Sequence, residues 1–262
     1  MSIILTADDF GFSDDTVDAT IDCFDRGIIT GASIMANMPS THRAVEFAKN
    51  HPKFSFGVHI TLVGVGIERP LTEYGDDLPL VDENGLFIDS SIIRLRALLG
   101  FLSNEWIEKE IRAQIDFIIN SGVKISYIDS HKHMHKYFSV RKALKNVLPD
   151  YGINKVRNVQ NIYLRNGIFK PTYWFGKTWG KKIIKSFFST DNFYMPTATG
   201  DYNWADQLVN KLAFGNTEIG IHPGYNEDWR KDEMKELINF VDKVKDKGID
   251  IISWDELYHM NE

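Results

Sequence analysis

Cysteine is nearly absent from this chain, since Cys23 is the only one among its 262 residues. A single cysteine excludes an internal disulfide framework and any zinc cluster built on thiolates. In the segment TIDCFDRG this residue falls in a helical pattern, which predicts a small core side chain.

Long apolar runs are missing as well. No stretch approaches the roughly 20 consecutive apolar residues that a membrane helix needs. The first segment, MSIILTADDF, lacks the basic region of a signal peptide and runs directly into acids. We therefore expect a cytoplasmic location and no membrane partner.

Positive charge is in deficit: 30 Lys and Arg stand against 36 Asp and Glu, which gives a formal net charge of −6. General affinity for nucleic acid needs clustered Lys and Arg, so we expect no nucleic-acid partner. A neutral small substrate such as a sugar is compatible with this charge. What the chain does have is core-forming material, with 43% hydrophobic and 13% aromatic residues.

Short apolar runs alternate with amphipathic helical patterns along the chain. The predicted strands are IILTADD, IITGASIMAN, FSFGVHITL, KISYIDS, KVRNV, TEIGIHPG and IDIISW. Six or seven β-α units predict an α/β fold with a parallel sheet, and the chain length favours a single-domain (β/α) barrel-like sheet over residues 1–262. Residues 160–190, which are aromatic and basic, fit the alternation poorly.

Polar side chains stand at the C-terminal ends of these predicted strands. Because such ends open onto one face of a parallel sheet, we expect their side chains to converge there. They are Asp8, Asp9, His59, Asp129, His131, Arg157 and His222. Neighbours in a strand point to opposite faces, so Asp8 and Asp9 can share a site only if the chain turns, and Gly11 just beyond them favours such a turn.

The segment DSHKHMH indicates either a metal site or a polar loop rich in histidine. Each strand-end residue also has an ordinary explanation when taken alone, such as a helix cap for Asp8 or Asp9 and a buried backbone contact for His59. Their coincidence on one face favours a divalent cation held by nitrogen and oxygen ligands. Imidazole with carboxylate suits zinc and other transition ions, whereas magnesium prefers oxygen.

Four segments in this order, TADDFG, GVHITL, DSHKHMH and EIGIHPGY, resemble the motifs of the YdjC-like carbohydrate deacetylase family, which includes the chitooligosaccharide deacetylases. The resemblance runs from the first strand to about residue 225. It implies a barrel-like fold and one divalent metal ion, Mg²⁺ or Zn²⁺. It also implies removal of acetyl groups from N-acetylated sugars, chito-oligosaccharides or related compounds, by a water that the metal activates.

The same resemblance implies roles for individual residues. Asp9, His59 and His131 would be the metal ligands, Asp8 the general base and His222 the general acid. These roles suit amide hydrolysis, which needs an activated water and a proton for the leaving amine.

The correspondence is weaker for Arg157, which would lie near the substrate. For His133 and His135 two interpretations stay open: they orient the metal site or contact the sugar, or they belong to a polar loop.

Two other classes of function also stay open. The metal face would suit a metal-dependent hydrolase of a phosphoester or a cyclic amide. A non-catalytic sugar- or metal-binding protein is disfavoured, because it needs neither an acid beside the metal nor His222. We expect a small carbohydrate as the partner and allow for a homodimer.

Overall fold

The computed structural model describes residues 1–64, 66–72, 80–164, 171–196, 203–212 and 214–260. Its strands are β1 (Ser2–Phe10), β2 (Gly31–Ile34), β3 (Ser55–Ile60), β4 (Ile125–Ser130), β5 (Asn192–Tyr194), β6 (Thr217–Ile221) and β7 (Asp250–Ile251). Its α-helices are α1 (Asp14–Asp25), α2 (Thr41–Asn50), α3 (Ser90–Leu99), α4 (Asn104–Asn120), α5 (Phe138–Val147), α6 (Pro171–Ser186), α7 (Trp204–Val209), α8 (Asp228–Asp246) and α9 (Trp254–His259). Two 3₁₀ helices cover His131–Lys136 and Leu148–Tyr151.

The strand pairings are parallel, which confirms the predicted α/β class. The sheet runs β4-β3-β2-β1-β6-β5, and β7 pairs with the first residues of β1. Isolated bridges continue the pairing from Ile128 of β4 to Val156, and from Lys155 to Phe188, which precedes β5. The sheet therefore curls into a half-barrel. The predicted strand KVRNV corresponds to this short linking segment and is not a strand.

Burial explains why the strands read as apolar runs. All nine residues of β1 are buried, because it has neighbours on both sides and is covered on both faces. The helices supply that cover through one apolar face each. In α4 the buried positions include Trp106, Ile107, Ile111, Ile115 and Ile118, which recur at helical spacing.

Local signals fixed several helix ends. Ser13 is the N-cap of α1: its Oγ accepts a hydrogen bond from the Thr16 amide at 3.3 Å, and the Thr16 hydroxyl accepts one from the Ser13 amide at 3.1 Å. This reciprocal pair is a capping box. Cys23, in the same helix, is fully buried, as its helical pattern predicts.

The structure adds elements that the alternation did not predict. They are α3, α6, α7 and β5. The aromatic and basic residues 160–190 contain α6, while residues 165–170 lie outside the described part of the chain. Among the helices that the structure describes, none combines the length and the apolar composition needed to cross a bilayer.

Candidate active site

A bend in β1 brings two adjacent carboxylates to one cavity. Asp9 has a φ of 57°, in the left-handed region that L residues rarely adopt, and the pairing of β1 with β2 shifts register between Ala7 and Phe10. The turn that the sequence predicted near Gly11 thus includes Asp9 itself. Both Asp8 and Asp9 line the cavity as a result. Such a conformation costs about 1–3 kcal/mol and persists where the surrounding structure enforces it.

Asp9, His59 and His131 form a compact, buried group. Asp9 Oδ1 lies 3.1 Å from His131 Nδ1 and 3.5 Å from His59 Nε2. One candidate ligand atom from each residue lies within 4.8 Å of the other two. This is the group that the sequence predicted, and three elements supply it: the end of β1, the end of β3 and the 3₁₀ helix that follows β4.

The orientation of His59 suits metal binding. Its Nδ1 lies 2.8 Å from Asp129 Oδ1, and a proton on Nδ1 makes that contact a hydrogen bond. The lone pair of Nε2 then points towards the Asp9 side of the cavity. Histidine ligands of metal ions are commonly held by a carboxylate in this way.

Unsatisfied atoms give an independent test of the fit to a cation. His131 Nε2 and Asp8 Oδ1 are buried, and neither has a hydrogen-bond partner among the described residues. Two imidazoles and a carboxylate form a ligand set suited to zinc or a similar transition ion. The residues present therefore fit one divalent cation. The overlapping group Asp8, His59 and Asp129 is no separate centre, because it shares His59 and both of its carboxylates already contact the Arg157 guanidinium.

The carboxylates around His59 favour its protonated form. Burial alone would lower the pKa of His59, but the charges of Asp129, Asp8 and Asp9 and the hydrogen bond to Asp129 raise it to about 9. Without a metal, His59 therefore carries a proton near neutral pH, and this proton stands where a cation would bind.

Asp9 is ionised despite its burial. Burial would raise its pKa, but the hydrogen bond with His131 and the nearby His131, His222 and His59 hold the pKa well below its ordinary value. Its second oxygen accepts a hydrogen bond from Arg230 Nη2 at 3.1 Å. The site thus contains an ionised carboxylate, which suits a cation.

Arg157 lies beneath the cavity, where its guanidinium is fully buried. Nη1 is 2.7 Å from Asp8 Oδ2 and 2.6 Å from Asp129 Oδ2, and Nε donates to Glu218 Oε1 at 2.9 Å. Arg157 thus contacts carboxylates where the sequence predicted a substrate contact. Its position holds Asp8 and Asp129 in place from below.

His222 follows β6 and is paired with a carboxylate from α8. Glu233 Oε1 lies 3.2 Å from His222 Nδ1. Burial would lower the pKa of His222, but Glu233, together with Asp9 and Asp8, raises it above its ordinary value. Sequence reasoning found His222 and missed Glu233, which stands in the middle of an amphipathic helix rich in surface acids.

Comparison with known proteins decides the family. A model of the YdjC-like protein family matches residues 2–248. This chain belongs to the YdjC-like family. It is 28% identical over 274 residues to a carbohydrate deacetylase of Geobacillus stearothermophilus, covering 98% of each chain.

Solved structures with the same fold are distant in sequence. A protein of Enterococcus faecalis V583 proposed to cleave cellobiose-phosphate superposes with a TM-score of 0.78 at 21% identity, over 98% of both chains. A family 4 acetyl xylan esterase of Clostridium thermocellum, bound to a cobalt ion, reaches a TM-score of 0.50 at 12% identity, over 99% of this chain and 91% of that one. These likenesses confirm the barrel-like fold.

The cavity of this YdjC-like chain has a volume of about 500 Å³. Beyond Asp9, His59 and His131, its wall includes Phe12, Arg94, Lys132, His133, Met195, Pro196 and Trp229. Of the two histidines left open by the sequence, His133 lines the cavity. His135 is fully buried, its Nδ1 lies 2.7 Å from Ser130 Oγ, and burial lowers its pKa to about 3. His135 is thus a neutral residue of the interior.

Proposed function

We propose that this YdjC-like chain is a metal-dependent deacetylase that removes the acetyl group from N-acetylated sugars. The observation that supports it most strongly is the buried group of Asp9, His59 and His131 beside the additional carboxylate of Asp8. The relatives named carbohydrate deacetylase favour this class of reaction. The esterase structure of the same fold, with its cobalt ion, is consistent with a metal.

In this proposal Asp9, His59 and His131 hold one divalent cation. When bound, the cation lowers the pKa of water and polarises the acetyl carbonyl. Two imidazole nitrogens among three ligands favour Zn²⁺ or a similar transition ion over Mg²⁺.

Asp8 is the proposed general base. Its Oδ2 is held by Arg157, while Oδ1 has no hydrogen-bond partner among the described residues and is free to accept a proton from water. Asp8 is therefore oriented before substrate arrives.

His222 is the proposed general acid. A departing amine needs a proton, and Glu233 raises the pKa of His222, which favours the protonated imidazole that a general acid needs. Both His222 and Asp8 line the cavity that holds the metal-binding group. An acetamide placed between them would meet the base and the acid in one binding position.

Trp229 supplies a platform suited to a sugar. Its ring lies 5.5 Å from the His222 ring, and the Arg230 guanidinium lies 4.4 Å from its centroid. Aromatic faces bury large apolar areas, and the C–H face of a pyranose can pack on such a ring beside the acid. A cavity of about 500 Å³ is at the scale of small-molecule sites, so we propose a short N-acetylated saccharide.

The test is acetate release from a panel of N-acetylated mono- and disaccharides by chelated protein to which single divalent metals are returned. We expect release only with metal, and most with Zn²⁺ or a similar transition ion. Phosphoester and cyclic-amide substrates assayed in parallel address the alternative hydrolase. Acetate release unaffected by chelation would contradict the metal's role, and sugar binding without any release would favour a binding protein.

A further inference from the structure

A second concave surface lies between α5 and α6, outside the cavity described above. It has a volume of about 300 Å³ and is lined by residues of these two helices. We call it the α5–α6 groove. Five of its eight lining residues are cationic: Arg141, Lys142, Lys145, Lys182 and Lys185.

The groove concentrates positive charge in a chain whose formal net charge is −6. None of its lining residues is acidic. In the described part of the chain, no carboxylate forms an ion pair with any of the five cations within 4 Å, whereas exposed cations elsewhere, such as Arg112 and Lys243, are paired. The carboxylate of Glu108 lies near the rim, where it accepts a hydrogen bond from the Asn146 side chain at 2.7 Å. Five like charges around one concavity repel each other, and a bound anion would relieve that repulsion.

Arg141 differs from an ordinary surface cation. Its side chain is only 7% exposed, its Nη1 donates to the Lys136 carbonyl at 3.1 Å, and its guanidinium lies 5.8 Å from the Phe138 ring. These contacts fix the guanidinium in place and use few of its five N–H donors. A fixed guanidinium with spare donors matches the bidentate geometry of phosphate oxygens.

The other wall of the groove is anchored by packing. The Trp179 ring lies 5.4 Å from that of Tyr137 and 5.7 Å from that of Phe175, and Ile183 is fully buried. At Gly180 a Cβ would lie 2.8 Å from Asn158 Oδ1, so this close approach requires glycine. The groove therefore has two firmly positioned walls.

Two lysines extend from the anchored helix at the groove. Lys182 and Lys185 are exposed and three residues apart, so they share one face of α6. Across the groove, Lys142 and Lys145 have the same spacing on α5 and are exposed too. Lys142, Lys145, Lys182 and Lys185 thus line the same groove as Arg141.

We propose that the α5–α6 groove binds phosphate monoesters of small ring compounds. The phosphate dianion would be held by Arg141 and the lysines. The ring would pack on Phe138, whose side chain lines the groove and is 67% exposed. A volume of about 300 Å³ lies at the lower end of small-ligand sites, which suits one ring and one phosphate better than a polymer. Sugar phosphates and nucleoside monophosphates share this chemistry.

The test is isothermal titration calorimetry of the 262-residue chain, at low ionic strength, with glucose 6-phosphate and with AMP. Glucose and adenosine serve as ligands without phosphate. We expect a phosphorylated compound to bind and its unphosphorylated counterpart not to bind. The phosphate ester that binds more tightly shows whether the groove prefers sugar phosphates or nucleoside monophosphates. The variant Lys142→Gln/Lys185→Gln should weaken that binding about tenfold or more, because charge-assisted hydrogen bonds to phosphate are lost.

Two control variants locate the site. Lys235→Gln/Lys245→Gln removes two exposed charges from α8 and should leave the dissociation constant unchanged. Lys132→Gln removes a cation from the cavity of the metal-binding group and should also leave it unchanged. An equal loss in the α8 variant would reduce the effect to general charge attraction, and a loss only in Lys132→Gln would place the ligand in the other cavity. Either result, or no phosphate binding at millimolar concentration, would overturn the proposal, and none depends on deacetylase activity.

Discussion

Asp8 lies in the cavity but outside the proposed ligand group of Asp9, His59 and His131. Its replacement distinguishes the role of general base from that of metal ligand. Asp8→Asn keeps the size of the side chain and most of its hydrogen bonding, while Asp129 and Glu218 still hold Arg157. We expect turnover to fall about 10² to 10⁴-fold, the usual effect of losing a general base, with metal content unchanged. The measurement is acetate release together with elemental analysis of the purified protein.

The matched control for this variant is Asp25→Asn, on an exposed position of α1. It should leave both readouts as they are. Metal loss in proportion to activity in Asp8→Asn would make Asp8 a ligand, and full activity would remove it from the mechanism.

Metal binding at His59 should depend on pH. In the metal-free protein its pKa is raised to about 9, so a cation has to displace a proton below that pH. We expect the affinity for Zn²⁺ to rise with pH by up to about tenfold per unit as pH approaches 9, and to level off above it. Competition with a calibrated chelator across this range measures it. A flat profile would show that His59 binds no metal or carries no proton.

His222 and Glu233 can be examined together through the pH dependence of turnover. Because Asp8 must be ionised and His222 protonated, the rate should follow a bell-shaped curve whose upper limb belongs to His222. Since Glu233 raises the pKa of His222, Glu233→Gln should move that limb to lower pH. His222→Gln should abolish the limb and lower turnover while metal affinity persists.

An activated anilide substrate provides the internal control for this assignment. Its leaving group needs less protonation, so His222→Gln should retain more of its activity on the anilide than on the natural acetamide. Equal losses on both substrates would point to an oxyanion or binding role for His222 instead.

At the level of single residues, the sequence predicted the side chains at the strand ends and missed the side chains that support them. Asp9, His59 and His131 could be found because polar residues at the ends of apolar strands are unusual. Glu218 could not, because an acid inside TEIGI is also typical of a strand with one exposed face. Only the curled sheet shows that Glu218 faces Arg157 in the interior.

Elements were predicted well where their patterns are local. The capping signal of α1 and the long amphipathic pattern of α4 need no tertiary information. The segment around Arg157 does need tertiary information. It pairs with β4 and with the region before β5 through one isolated bridge each, and hydrophobic periodicity does not reveal such pairs. The helix α6 was missed because its aromatic residues do not mark one buried face: Trp179 packs against Tyr137, whereas Trp174 and Phe175 are exposed.

The contact between β3 and β4 leads to a prediction at the scale of elements. At Gly57 a Cβ would lie 2.5 Å from the Tyr127 ring. The Tyr127 hydroxyl is hydrogen-bonded to Ser33 Oγ, which in turn donates a hydrogen bond to Asp129. Gly57→Ala should therefore lower the free energy of unfolding by about 1–3 kcal/mol, the usual cost of overpacking. Urea unfolding measures this change.

A double-mutant cycle checks the cause. In a Tyr127→Leu background the added methyl group meets a smaller side chain, so Gly57→Ala should cost less there than in the natural protein. The same cost in both backgrounds would contradict the contact with Tyr127 as the source.

For the whole molecule, a bound metal should add to stability by mass action. Asp9 and His59 come from the first and third strands and His131 from the 3₁₀ helix after the fourth, so a cation that joins them binds the folded chain and not the unfolded one. At about 100 times its dissociation constant it should add about 2.7 kcal/mol. Thermal unfolding with and without Zn²⁺ measures the gain, and Asp9→Ala should lose it. An equal gain in Asp9→Ala would place the ion elsewhere.

The fold class could be predicted because alternation of strands and helices leaves few topologies open. The curl of the sheet was predicted from chain length and from the family resemblance, because the alternation by itself is compatible with an open or a curled sheet. The cytoplasmic location, the homodimer and the single domain over residues 1–262 stay predictions. They depend on surfaces and surroundings more than on the packing of one chain.

The 3₁₀ helix His131–Lys136 stands between the two proposed binding sites. Its first residue is the proposed ligand His131, and the carbonyl of its last residue, Lys136, accepts the hydrogen bond from Arg141. If a ligand in the α5–α6 groove alters the affinity for the metal by some factor, the metal must alter the affinity for that ligand by the same factor. Through this short segment, the protein would respond to the concentration of the metal and to that of the phosphate ester.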